Sequence, residues 1–251
     1  MDGIITWLSD AHTWVALLEI IGVNIVLSGD NAVVIALACR TLPHRQQRMA
    51  IFFGSAGAVV LRVVLTGFAA ILLTKPYLKL VGGVLLLWIA IKLLLPEEEG
   101  DGEAEGNASM FAAIKTIVIA DLVMSLDNVL GVAAVAKGDV VLLILGLLIS
   151  MPLIIYGSTI IMKLMGRFPV LITLGAALLG YVAADMGVSD PVVVPWSEAH
   201  IPQLHSVAAM LGAVFVVLVG KLFAARRRKR AVVEVAAEEL EPRSSQELPR
   251  E

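Results

Sequence analysis

Charge is scarce in this sequence. Only 16% of its 251 residues are Asp, Glu, Lys or Arg, against 59% hydrophobic, and a chain of that make-up cannot cover itself with the polar surface a water-soluble domain needs. Cysteine is all but missing. Cys39 stands alone, which excludes an intrachain disulfide and leaves it as a small packing residue at a helix end. Histidine is thin as well: His12, His44, His200 and His205 all miss the interior of the apolar runs, so a zinc-like imidazole cluster is not expected and each reads as an interfacial or loop residue. There is no nucleotide-binding loop and no nucleophile paired with a base, so the chain does not read as an enzyme. Nothing points to nucleic acid as a partner, and no bound cofactor is expected. The first dozen residues carry Asp2 and Asp10 but no Lys or Arg, which argues against a cleavable signal peptide.

What is present in abundance is apolar sequence in long, unbroken runs. A membrane-spanning helix needs about 20 such residues, whereas barrel strands alternate and are half as long. The expected fold is therefore all-α and polytopic, with seven spans at roughly 14 to 38, 49 to 74, 78 to 95, 111 to 136, 139 to 162, 168 to 186 and 204 to 223. Basic residues near helix ends favour the cytoplasmic side. Arg40, Arg45 and Arg48, Lys92 and Lys115, Lys163 and Arg167, and the run RRRKR at 226–230 fall on one side of seven alternating spans, while Lys75, Lys79 and Lys137 fall on the other. The N-terminus is thus expected outside and the C-terminus in the cytoplasm, with the chain in the inner (plasma) membrane.

The chain divides in two around an acidic stretch. Residues 1–95 hold spans 1 to 3, and 96–110, with PEEEGDGEAEGNAS, form a solvated cytoplasmic linker. Residues 111–187 hold spans 4 to 6, 188–223 an outer loop and the last span, and 224–251 a basic anchor and a polar tail of disordered composition. Sliding the second half back by 97 positions puts Asp127 and Asn128 on Asp30 and Asn31, Ser125 on Ser28, and Asp121 on Asn24. Three spans per half force opposite orientations, so the halves are expected to be inverted repeats, an arrangement that places transporter sites at the repeat interface.

The repeated polar residues sit where polarity is most costly. Asn24, Ser28 and Asn31 share one helical face, Asp121, Ser125 and Asn128 share another, and Asp30 and Asp127 lie one step around from each. Arg62 stands near the centre of span 2. At about 2.5 to 3.5 kcal/mol per intramembrane charge, Asp30, Arg62, Asp121 and Asp127 represent a gross cost on the order of 10 to 14 kcal/mol. Interhelical pairing offsets part of it, but three carboxylates against one guanidinium leave an excess of negative charge. A bound cation is the economical explanation, and Asp, Asn and Ser oxygens suit Mg2+, Ca2+ or Mn2+ rather than a soft metal. Met124, between the aspartates, reads as packing. An emptied site has two ways to stay neutralised, by protons taken up as the coupling ion or by Arg62 acting as a substitute cation. Arg62 as a fixed partner of one aspartate is the other reading.

The duplicated motifs NIVLSGDNAVVIALACRTLP and DLVMSLDNVLGVAAVAKGD, together with GSAGAVVLRVVLT in span 2 and GGVLLLWIAIKLL in span 3, resemble the TerC family of integral membrane proteins in its short form, over residues 14 to 222. The resemblance implies a seven-span fold and divalent-metal handling, chiefly Mn2+ export, with Asp30, Asn31, Asp121, Asp127 and Asn128 binding the metal and Asn24, Ser28, Ser125 and Arg62 in support. Asn24 departs from the pattern, since many relatives are acidic there. A membrane assembly or tellurite-resistance factor that binds protein partners and moves no ion is the alternative.

Overall fold

Residues 11–95, 103–136, 139–201 and 203–240 are described by a computed structural model; the side chains at 11, 69, 70, 73, 103–108, 127, 129–136 and 227–240 lie outside that description. The described residues are all-helical, in the order α1 (Ala11–Leu27), α2 (Gly29–Cys39), α3 (His44–Leu73), α4 (Leu78–Leu94), α5 (Glu103–Ala136), α6 (Val140–Arg167), α7 (Val170–Val188), α8 (Val194–His200) and α9 (Leu204–Leu240). This is the polytopic membrane architecture expected from the apolar runs. Five helices, α3, α5, α6, α7 and α9, are long and apolar enough to cross a bilayer, and α1 with α2 makes a sixth if the bent pair is one span. Helix α4 has 17 residues, about 25 Å of helix, the lower limit for a hydrocarbon core near 30 Å.

Three expectations change in detail. The first span is not one helix: α1 and α2 meet at 51°, because Gly29 follows Ser28 at the point where the chain needs only a weak helix former to let go. Helix α5 starts at Glu103, inside the acidic stretch read as a linker, and α9 continues to Leu240, through the basic run and into the stretch read as a disordered tail. Both extensions carry Ala and Glu, which are strong helix formers, and the second adds Arg and Lys. Residues 1–10, 96–102 and 241–251 lie outside the described residues.

The packing pairs α3 with α5, the bent α1 and α2 with α6, and α4 with α7, while α9 lies against α7 and α4. Glycines allow the closest of these approaches. A Cβ on Gly83 would meet the Ala183 carbonyl oxygen at 2.5 Å, and one on Gly180 would meet the Gly212 carbonyl oxygen at 2.5 Å, so α7 touches both neighbours backbone to backbone. The main core runs through these helices, with Leu86, Ala90, Ala176, Leu179, Ala183 and Val216 buried together. Met124 belongs to that core, and Cys39 packs in a second cluster with Ile35, Leu42 and Ile51. Large apolar side chains such as Val26, Phe53, Tyr156 and Leu211 point outward, as they do where the solvent is lipid.

One helix end is closed from a distance. Tyr77, at the N-cap of α4, has φ 66° and makes no capping hydrogen bond of its own. Asp190, on the turn after α7, accepts from the Tyr77 and Leu80 amides at 3.0 and 3.2 Å and from Val192 at 3.0 Å. Burial pushes the Asp190 carboxyl up, but the amide donors at Val192, Tyr77, Leu80 and Lys79 together hold it below its ordinary value.

Candidate functional site

The polar stripes of the two halves face each other around Arg62. Long side chains on a helix lean toward its N-terminus, and from the middle of α3 this carries the guanidinium between α1 and α5. Nε donates to Ser125 Oγ at 2.9 Å, Nη1 to Asn24 Oδ1 at 2.6 Å and Ser28 Oγ at 2.9 Å, and Nη2 to Asp121 Oδ1 at 2.5 Å. The four acceptors form a cage of oxygens drawn from both halves, and Arg62 and Asp121 are 4% and 8% exposed, so their charges face each other with little water between them.

Each cage oxygen is itself held. Ser28 Oγ donates to Asn24 Oδ1 at 3.3 Å, Ser125 Oγ to Asp121 Oδ2 at 3.1 Å, and Asn31 Nδ2 to Asp121 Oδ1 at 2.9 Å. Asn24 Nδ2 donates to Ser150 Oγ on α6 at 2.5 Å. Asp30 sits in the first turn of α2, where the helix dipole favours a carboxylate. It accepts from the Asn31 amide at 2.9 Å, lies partly buried, and feels the charges of both Arg62 and Asp121.

The helix break serves the same place. With α1 ending at Leu27, the Leu27 carbonyl receives Asn128 Nδ2 at 2.9 Å, so an amide from the second half satisfies a carbonyl freed in the first. The structure thus brings together Asn24, Ser28, Asn31, Arg62, Asp121 and Ser125, with Asp30 and Asn128 at the rim. Asp127 is helical in α5, and its side chain lies outside the described residues. Among the described residues no three His, Cys, Asp or Glu side chains gather as a metal cluster; the cage consists of one carboxylate, one amide and two hydroxyls.

Beside the cage is a cavity of about 30 Å³, lined by Asn31, Ser55, Arg62, Asp121 and Met151 among others, with room for one or two water-sized species. Ser55 and Ser150 are the site residues that sequence reasoning missed. Neither has a polar counterpart 97 positions away, where Pro152 and Phe53 stand, so the duplication that exposed the other residues is silent on these two.

A family model described as "Integral membrane protein TerC family" matches residues 9–230. The membrane protein YjbE of Bacillus subtilis (strain 168) is 40% identical over 204 residues, covering 81% of this chain and 93% of that one. The inner membrane protein YgdQ of Escherichia coli (strain K12) is 26% identical over 230 residues, covering 84% of this chain and 93% of its own length. No solved structure matches the chain.

Proposed function

Since the chain belongs to the TerC family of integral membrane proteins, we propose that it exports a hard divalent metal ion, Mn2+ before others, through the polar site between its two halves. The observation that carries this reading is the oxygen cage around Arg62: a buried cation is held by Asn24, Ser28, Asp121 and Ser125, the donor types that hold Mn2+, Mg2+ or Ca2+. The guanidinium occupies the place of a cation and is charged at any cellular pH. Arriving metal competes with it for Asp121, and departing metal leaves it to return, with Asp30, Asp121 and Asp127 the carboxylates available to metal or protons. Mn2+ over its hard neighbours follows from the family resemblance rather than from the donor set.

The helix pairing supports an inverted repeat. Turning the halves into each other exchanges span 2 against span 4 for span 5 against span 1, and both pairs pack closely, as do spans 3 and 6, which exchange with each other. With basic helix ends marking the cytoplasm, the N-terminus is outside and the C-terminus inside. The four hydrogen bonds that hold Arg62 are what favours the second reading, a non-transporting assembly or tellurite-resistance factor in which the pair is a fixed tie. Mn2+ uptake into everted membrane vesicles decides between them. Saturable uptake by the wild type, lost in Asp30→Asn with protein levels maintained, is expected for an exporter. No uptake above that of vesicles lacking the protein would leave the assembly reading standing.

A further inference from the structure

We infer that the Ser55 hydroxyl is a further ligand for the transported divalent cation, holding it with the Asn31 side-chain carbonyl oxygen in the cavity beside the Arg62–Asp121 pair. The inference rests on the cation-transport reading and adds a position to it.

Buried oxygens without a partner are rare, because each forfeits its hydration for nothing. Asn31 Oδ1 and Ser55 Oγ are two such atoms, and their residues are 4% and 5% exposed. Both residues line the same cavity. For Ser55 this is a departure from the other hydroxyls named in these helices, among which Ser28 and Ser125 donate to side chains. Thr66, Thr116, Ser150, Ser158 and Thr159 each donate to a carbonyl three or four residues back, the usual way a membrane helix satisfies a hydroxyl. Ser55 makes no such bond.

The donor set fits a hard cation. Asn31, Ser55 and Asp121 contribute an amide oxygen, a hydroxyl and a carboxylate from α2, α3 and α5, leaving further positions to water, as Mn2+ and Mg2+ prefer. Met151 also lines the cavity but is a weak ligand for hard ions. The position has a direction. Ser55 precedes Arg62 along α3, Ile117 precedes Asp121 along α5, and Ile35 follows Asn31 along α2, so the lining extends from the cage toward the helix ends that carry Arg40, Arg45 and Arg48. On the topology proposed above this is the cytoplasmic side. An ion there, in a cavity that both Arg62 and Asp121 line, draws on the same carboxylate and weakens the hold on Arg62 before taking its place.

Ser55→Ala tests this in purified full-length protein, with Mn2+ alone as the probe, titrated by calorimetry and followed by thermal unfolding with and without metal. Removing an unpartnered buried hydroxyl should leave the metal-free unfolding temperature unchanged or raised, while Mn2+ affinity falls about tenfold or more and the metal-induced rise in unfolding temperature shrinks. Ser55→Cys should shift preference from Mn2+ toward Cd2+, because a thiolate is soft. Wild-type Mn2+ affinity in Ser55→Ala, or unaltered Mn2+ and Cd2+ preference in Ser55→Cys, would overturn the assignment while leaving transport intact. A fall in metal-free stability matching the loss of affinity would overturn it too, by making Ser55 a packing residue. Wild-type protein that binds no Mn2+ would overturn the transport reading itself.

Discussion

Arg62 is the residue on which the site turns, because among the described residues it supplies the buried positive charge that faces Asp121. Replacing it with Gln leaves that carboxylate desolvated and unpaired, a change that typically costs about 3 to 5 kcal/mol. If the guanidinium stands in for a metal ion, metal should repair the damage. Arg62→Gln is therefore expected to lower the unfolding temperature without metal and to gain more from Mn2+ than the wild type does, with slower metal release. An equal response to Mn2+ in both proteins would make Arg62 a fixed tie. At this scale the sequence was legible where polarity was out of place: Asn24, Ser28, Asn31, Asp121 and Ser125 announce themselves as oxygens in apolar runs, repeated and in helical register. Ser55 and Ser150 do not, since a single serine in a membrane helix ordinarily satisfies itself on its own backbone and its neighbours carry no trace of what it faces.

At the scale of the element, the break between α1 and α2 and the closure of α4 were beyond sequence reasoning for different reasons. The break lies inside a continuous apolar run, and Gly29 alone does not distinguish a tolerated glycine from a hinge. Its counterpart in the second half, Leu126, sits within the unbroken α5, which is the difference in helix propensity made visible. A Cβ at position 29 would meet nothing within 4 Å, so Gly29→Ala is expected to fold, to raise stability by up to about 1 kcal/mol, and to slow Mn2+ flux by favouring a straight helix that reclaims the Leu27 carbonyl. A raised unfolding temperature with an unchanged flux would make the bend passive. The closure of α4 comes from Asp190, 113 positions beyond Tyr77, a separation no local pattern bridges. Its carboxyl is held below the ordinary value of 3.8, so the stabilisation is present above that pH and is lost as pH falls through the lower native value. Asp190→Asn should cost about 1 kcal/mol near neutrality and flatten the decline in unfolding temperature on acidification. A decline as steep as in the wild type would assign it to other groups.

For the whole molecule, hydropathy made the helical membrane class legible, since apolar length is a strong signal, while of the seven spans expected five helices, or six with the bent pair, are long and apolar enough to cross. Which helices touch was not, because small residues at close approaches look in sequence like any other glycine or alanine. The contacts of α7 with α4 and α9 have a mechanical meaning. Helices slide past one another on a layer of side chains that can change rotamer. Where Gly180 meets Gly212, and Gly83 meets Ala183, backbone rests on backbone and there is no such layer to shear. Helices α4, α7 and α9 are therefore expected to move together, with Asp190 pinning the end of α4 to the turn after α7. On the transport reading they are expected to act as a stator, with the moving part of the cycle falling to α1, α2, α3, α5 and α6, the helices that line the cage and its cavity.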